Sequence, residues 1–316
     1  MLRRTRYIWL LLGVSILGSC YKHASTTKED SLPEVYTTLF LTYDFARAIA
    51  GDKMAVSLFL PLGIDTHTYE PSANDMIKAK NASLFLWTSD AMEPWMRKIE
   101  NTLQLSPDVS INLADTLHLH ALNEESTHDH AHHADHHHHD TDPHFWMDPQ
   151  LLIDLFDSIE YAIIQHDPEN TAYYQSNAQR YRMALIEAID AITDTIANTK
   201  TPSPVLFGGG FSYQHFLDAY NLPFYSVYAT DSIENEPTIA HMAAIREAIV
   251  THNIRYIFVD PILTTKIANT LAEDYNLTIL PWYTGHTLTK EEFSSNVSYL
   301  DMLQHNNESL QKALQK

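Results

Sequence analysis

Between Asp167 and Ile196 the chain reads DPENTAYYQSNAQRYRMALIEAIDAITDTI, and the spacing of its apolar residues decides how the rest is organised. Tyr174, Ala178, Tyr181, Leu185, Ala188, Ile192 and Ile196 fall three and four apart, which puts them on one face of an α-helix. Asp167 suits a cap and Pro168 a first turn, while Pro202 and Pro204 stand just beyond the far end. About 30 residues at 1.5 Å each make a rod of about 45 Å, longer than an ordinary domain helix. A rod of that length can join two lobes.

The flanks on both sides alternate between strand and helix signals. Before the rod, EVYTTLF (34–40), MAVSLFL (54–60) and SLFLW (83–87) read as short buried strands. A helical pattern around Tyr43 to Ala50 lies between the first two. A second helix opens at Pro71 and Ser72 in PSANDMIKAKNA. After it, PVLFGG, PFYSVY, IRYIFVD and LTILPWY read as strands, with helices expected at 212–220, 238–252 and 264–275. Such β–α alternation predicts parallel sheets covered by helices. The expected class is therefore α/β, with two lobes, each a mostly parallel sheet covered by helices, joined by one long backbone helix. The divisions are an N-terminal lobe over 33–166, the linking helix over 167–199 and a C-terminal lobe over 200–316. No repeat of the solenoid type is present.

The start of the chain reads as a targeting segment over 1–19. Arg3, Arg4 and Arg6 are followed by an apolar core from Tyr7 to Leu17, too short for a permanent span, which needs about 20 apolar residues. Leu17-Gly18-Ser19-Cys20 resembles the lipobox of bacterial lipoproteins, and Cys20 is the only cysteine. A plain cleavable signal with an incidental cysteine is the alternative. A lone cysteine at the end of such a core is better explained as the lipidated first residue of the mature protein, with 20–32 as a polar tether. No intrachain disulfide is then possible. The chain carries 20 basic and 40 acidic residues, a net charge of −20, which makes nucleic acid an unsuitable partner. No second apolar stretch reaches spanning length, so the expectation is an extracytoplasmic protein anchored to the membrane rather than inserted in it.

Histidines carry the chemistry. The segment from about 118 to 142 is acidic and histidine-rich and reads as a long exposed loop. Within it, His128, His130, His132, His133, His136, His137, His138 and His139 lack the aromatic and aliphatic partners that would fix them in one geometry. They are expected to be disordered without metal and to bind several ions weakly, as a collecting antenna; a plain solvated loop is the alternative. Four isolated histidines differ: His67 in GIDTHTYEP, His144 in DPHFWMDP, His215 in GGGFSYQHF and His286 in WYTGHTLTKEEF. Each falls where a strand-to-helix loop is expected, and the carboxyl ends of strands are where open α/β sheets bind ligands. Neutral imidazole serves Zn²⁺, Cu²⁺ and Ni²⁺ well. Taken singly, each reads more readily as a surface or hydrogen-bonded histidine.

Longer stretches carry a resemblance. PLGIDTHTYEPSANDMIKAKNASLFLWTSDAMEPW and DPHFWMDP resemble the two N-terminal signatures of the solute-binding lipoproteins that serve zinc and manganese ABC importers. A His- and Asp-rich loop just before the second is a feature of the zinc members. NEPTIAHMAAIREAIVTHNIRYIFVDPILTTKIANTLAED and GHTLTKEEFSSNVSYLDMLQHNNESLQKAL resemble the C-terminal lobe of that family. The resemblance implies a metal ion held in the cleft between the lobes, an ABC permease and its ATPase as partners, and a monomer. It carries His67 and His144 onto the first two ligand positions and His286 onto the ligand of the C-terminal lobe. The remaining ligand position departs from the pattern: counting back from Leu222 in YNL, it falls on Gly210. His215, five residues on, stands as a replacement ligand or as a helix-face histidine beneath the cleft. Asp260, at the end of IRYIFVD, reads as a fallback oxygen ligand or a structural cap. Trp146 and Tyr69 read as cleft-wall packing and Glu93 as a structural carboxylate.

Imidazoles without an obligatory carboxylate favour Zn²⁺ over Mn²⁺, which prefers harder oxygen donors. The expected function is capture of Zn²⁺ outside the cytoplasm and delivery to a permease, with zinc as cargo rather than catalytic cofactor. Two alternatives stand beside it. One is a zinc-buffering or adhesin-like surface lipoprotein without a permease. The other is a zinc hydrolase, against which the chain has no HExxH and no His–carboxylate pair with the spacing that a catalytic zinc site requires.

Overall fold

A computed structural model describes residues 32–117, 142–199, 203–229, 236–262 and 266–314. The targeting segment, Cys20 and the tract His128–His139 lie outside the described residues. From the N-terminal side come β1 (Glu34–Thr37), α1 (Phe40–Ala50), β2 (Ala55–Leu58), α2 (Ala73–Asn81), β3 (Leu84–Trp87), α3 (Met96–Leu103), β4 (Ser110–Asn112), α4 (Leu113–Thr116) and α5 (Pro149–His166). The long helix is α6 (Thr171–Ala197). It is followed by β5 (Val205–Phe207), α7 (Gln214–Tyr220), β6 (Phe224–Ser226), α8 (Ile239–Thr251), β7 (Tyr256–Val259), α9 (Lys266–Tyr275), β8 (Thr278–Pro281), α10 (Lys290–Ser294) and α11 (Tyr299–Leu314).

The strands form two four-stranded sheets, ordered β2-β1-β3-β4 and β6-β5-β7-β8. Every pairing is parallel, with Val35 opposite Val56 and Leu84 in one sheet and Phe207 opposite Phe258 in the other. The chain reverses its direction of travel beside β1 in the first sheet and beside β5 in the second. Each sheet therefore has a switch point, and the loops leaving the strand ends there splay apart to make a crevice.

Helix α6 has 27 residues, about 40 Å of rod at 1.5 Å per residue. Five of the seven residues of the expected stripe, Tyr174, Ala178, Leu185, Ile192 and Ile196, are buried, Tyr181 and Ala188 are half-buried, and Asn177 and Ile189 join the buried face. Its start differs from expectation. Pro168–Asn170 forms a separate 3-10 turn, and Asp167 makes no side-chain cap to the backbone. The Asp167 carboxylate instead accepts from the Tyr174 hydroxyl at 2.6 Å and from Asn170 Nδ2 at 2.7 Å. Burying the Tyr174 ring, seven residues on, brings its hydroxyl to the carboxylate.

Helix α5 is absent from the expected elements, although Asp148 caps it with bonds from Gln150 N and Leu151 N and Pro149 occupies its first turn. Its buried face, Leu152, Leu155, Phe156, Ile159 and Ile163, packs against α6 and α1. One apolar cluster runs from Val35, Leu84 and Leu86 in the first sheet, through Tyr174, Leu185 and Ile192 of α6, to Phe207, Phe258 and Leu280 in the second. A fully buried leucine such as Leu185 contributes about 1.5–3 kcal/mol. Two smaller clusters cover the other faces, one around Phe59, Phe85 and Trp87 and one around Leu206, Ile257 and Leu271. The continuous cluster holds the two sheets in a fixed relation.

Candidate metal centre

The loops after β2 and β8 and the segment just before α5 bring His67, His286 and His144 together. One donor nitrogen from each lies within 4.8 Å of those of the other two. The ring centroids are 5.6 Å apart for His67 and His144, 6.4 Å for His67 and His286, and 4.7 Å for His144 and His286, all edge to face. Edge-to-face rings at these distances aim nitrogens at a common point instead of stacking.

His67 sits in the loop between β2 and α2. Asp65 turns the backbone there, accepting from His67 N at 3.0 Å and from Thr68 Oγ1 at 3.0 Å. Trp95 pins the same loop by donating Nε1–H to Thr66 O at 2.8 Å and stacking on Phe59. The ring Nδ1 faces Ala91 O at 3.3 Å. That carbonyl belongs to a turn organised by the buried carboxylate of Glu93, which accepts from Thr38 Oγ1 at 2.5 Å, Thr88 N at 3.1 Å and Ser89 N at 2.9 Å. Burial pushes the Glu93 carboxyl up to about 7 against the pull of these donors. Glu93 is structural, tying the ends of β1 and β3. Tyr69 packs edge-on against Trp95 and donates to Asp75, the carboxylate of the capping box that opens α2.

His144 is fully buried and immediately precedes a 3-10 turn, Phe145–Met147. Asp142 Oδ1 meets its ring Nδ1 at 2.5 Å and its backbone N at 3.0 Å. Burial raises the Asp142 carboxyl, but the hydrogen bond and charge of His144 outweigh it and leave it below the usual carboxylate range. Trp146 walls the centre, its ring edge-on to both His144 and His286 and its Nε1–H donated to Thr284 O at 2.8 Å.

His286 comes from the loop between β8 and α10. Its Nδ1 lies 2.8 Å from Thr284 Oγ1, whose hydroxyl donates to Asp260 Oδ2 at 3.2 Å. Because the Thr284 proton is committed to Asp260, its oxygen accepts from His286 Nδ1–H. That leaves Nε2 of His286 with a free lone pair. Burial first, then the neighbouring His144 and His67, hold the His286 pKa well below the ordinary value. The ring is neutral at physiological pH, as a ligand must be. Nε2 of His144 and Nε2 of His286 are buried with no hydrogen-bond partner among the described residues. Buried polar atoms are normally satisfied, and a shared cation would satisfy these.

The structure does not bring His215 into this group. It stands near the start of α7, with Nε2 2.9 Å from the backbone oxygen of Asp142. Gly210 is buried and offers no side-chain donor. Asp260 spends Oδ1 on Ile262 N at 2.8 Å and Oδ2 on Thr284. Sequence reasoning missed Asp142, Thr284 and Ala91 O, which orient the three rings. Asp142 had a signal, a carboxylate two residues before a candidate ligand. A backbone carbonyl has none.

The chain matches the family profile described as ZnuA, zinc-uptake complex component A, periplasmic, over residues 35–313. It is 28% identical over 304 residues to the high-affinity zinc uptake system protein ZnuA of Bacillus subtilis, covering 96% of this chain and 94% of that one. It is also 28% identical over 284 residues to the zinc-binding lipoprotein AdcA of Streptococcus pneumoniae. That match covers 90% of this chain and 56% of AdcA, so the chain spans little more than half of that relative. In fold it is similar to the crystal structure of the metal-dependent lipoprotein YcdH from Bacillus subtilis, with TM-score 0.72 and 24% identity over 89% of this chain and 99% of that one.

Proposed function

Because the chain belongs to the family of periplasmic zinc-uptake components A, we propose that it captures Zn²⁺ outside the cytoplasm and delivers it to an ABC permease and its ATPase. The convergence of His67, His144 and His286, with one donor nitrogen of each within 4.8 Å of the others, carries this reading. In a tetrahedral zinc site with bonds near 2.0–2.1 Å, donor nitrogens stand about 3.4 Å apart, so a modest inward movement of the three rings closes around the ion. Each ring is oriented from its far side, by Ala91 O, Asp142 or Thr284, as metal-binding histidines require. We take residues 33–166 and 200–316 as the two lobes and 167–199 as the link between them. Lipidation at Cys20 and a monomeric state complete the proposal.

The reading is of a carrier, not a hydrolase. A catalytic zinc site needs a base poised over its bound water. The carboxylates of the ligand loops and their neighbours already accept hydrogen bonds, Asp65 from His67 N and Thr68, Asp142 from His144 and Gln214 N, and Asp260 from Ile262 N and Thr284. The test is a zinc titration against a chromogenic chelator. Wild-type protein is expected to hold one tight equivalent, and His67→Ala, His144→Ala and His286→Ala each to lose it. A tight equivalent that survived in all three would defeat the assignment.

A further inference from the structure

His215 is the one histidine of the four isolated loops that stays outside the convergent group, and its bond says what it does instead. A carbonyl oxygen only accepts, so His215 Nε2 carries its proton and donates it to Asp142 O. That nitrogen is unavailable to a cation. The same residue is gripped a second time from α7, where Gln214 N donates to Asp142 Oδ2 at 3.2 Å. On its other side Asp142 holds His144, through Oδ1 to both the backbone N and the ring Nδ1. Asp142 is thus a hub with two bonds to α7, after β5 in the second sheet's half of the chain, and two to a residue of the first. A short carboxylate orients an imidazole only as well as its own peptide is fixed. Here the fixing comes from the opposite half of the molecule.

We propose that His215 is a positioning residue: it pins the Asp142 peptide to α7, so that the Asp142 carboxylate holds the His144 ring with Nε2 turned to the cation. This rests on the zinc reading above. It follows that the order of a ligand contributed by the first half depends on contact with the second. The site is then at full strength only while α7 is docked against Asp142. Loss of a group that orients a metal-binding histidine weakens binding about 10–100-fold, and His215 acts one bond further back, so about tenfold is expected.

The experiment uses the full chain and compares wild type, His215→Ala and His215→Gln, whose amide nitrogen can occupy the place of Nε2 and donate to the same carbonyl. Zinc affinity is read by chelator competition, and the donor set by the absorption bands of the protein loaded with one equivalent of Co²⁺. The expected result is about tenfold weaker zinc binding in His215→Ala, recovery in His215→Gln, and cobalt bands of unchanged position and intensity in all three. Cobalt bands altered in both variants, with no recovery in the glutamine variant, would make His215 a ligand and overturn the proposal. Unchanged zinc affinity in His215→Ala would overturn it too, even if the metal-free protein melted earlier, because the residue would then be merely structural. Wild-type protein with no tight equivalent would defeat the functional reading itself, and this inference with it.

Discussion

Two orienting residues carry predictions that their neighbours make specific. Thr284 relays Asp260 to His286, so Thr284→Val keeps the shape but leaves His286 Nδ1–H without its acceptor. Zinc affinity should fall about 10–100-fold in a competition titration, with the fold unchanged by circular dichroism. Glu93 carries a pH dependence. Its pKa is raised by burial to about 7 from an ordinary value of 4.5, so the folded state binds a proton that the unfolded state has released. Its contribution is full below pH about 4.5 and is lost as pH rises through about 7, by up to about 3 kcal/mol. His286 tilts the other way, since its lowered pKa costs stability as pH falls below about 6.5. Reading the difference between wild type and Glu93→Gln isolates the carboxylate. In metal-free urea melts, wild type should lose stability relative to Glu93→Gln between pH 4.5 and 7; a flat difference would contradict the assignment. At this scale the sequence singled out four imidazoles, because their motifs are local, and the fold brings three of them together. The sequence did not show what orients them, since Ala91 O and the Thr284–Asp260 pair become neighbours only through the fold.

Helix α1 is the element on which the two halves meet. Its N-cap position is Leu39, which has no side-chain acceptor, and the orphan N–H groups of Phe40 and Leu41 donate instead to His286 O at 2.8 Å and Gly285 O at 2.9 Å. The loop that presents a candidate ligand therefore caps a helix of the other half. Gly63 N adds a bond to Thr287 Oγ1 at 2.8 Å. Deeper along α1, Asp44 Oδ2 accepts from Tyr181 Oη of α6 at 2.6 Å and from Tyr299 N of α11 at 2.9 Å. Gly285 cannot be replaced cheaply, since its φ is +84° and a Cβ would stand 2.7 Å from Tyr299 Cε2 and 3.3 Å from Leu41 Cβ. Gly285→Ala should lower the melting temperature of the metal-free protein and weaken zinc binding together, measured by calorimetry and by chelator competition. If both stay at the wild-type value, the capping loop is not the joint described. Elements with long periodic faces were legible in the sequence, α6 above all. Helix α5 carried an equally clear face and start signal but adjoins the ligand motif, where pattern and motif overlap. Strand β4 reads SIN, with Ile111 its one apolar residue, so it lacks the apolar run that marks the equally short β5 and β6.

At the scale of the whole molecule, two parallel sheets of identical strand order share one apolar cluster with α6, and the three candidate ligands His67, His144 and His286 come together from loops of both halves. This architecture was readable as strand signals on either side of one long helix; the joint itself was not, because it is built from backbone carbonyls and a left-handed glycine. Among the described residues, no helix is long and apolar enough to cross a membrane. Attachment through Cys20 predicts that Cys20→Ala protein is released to the soluble fraction, and its retention on membranes after a salt wash would count against lipidation. The central claim is that the folded histidines, not the tract, form the tight site. An ion bound only by the folded chain stabilises it by about 4 kcal/mol at a thousandfold excess over Kd, whereas ions held equally by folded and unfolded chain add little. The most direct measurement is the zinc-induced shift in melting temperature of three proteins: wild type, a deletion of His128 to His139, and His67→Ala with the tract intact. The deletion should keep most of the wild-type shift while binding fewer ions, and His67→Ala should lose it. A shift that vanished with the tract and persisted in His67→Ala would place the tight site in the tract and contradict the account.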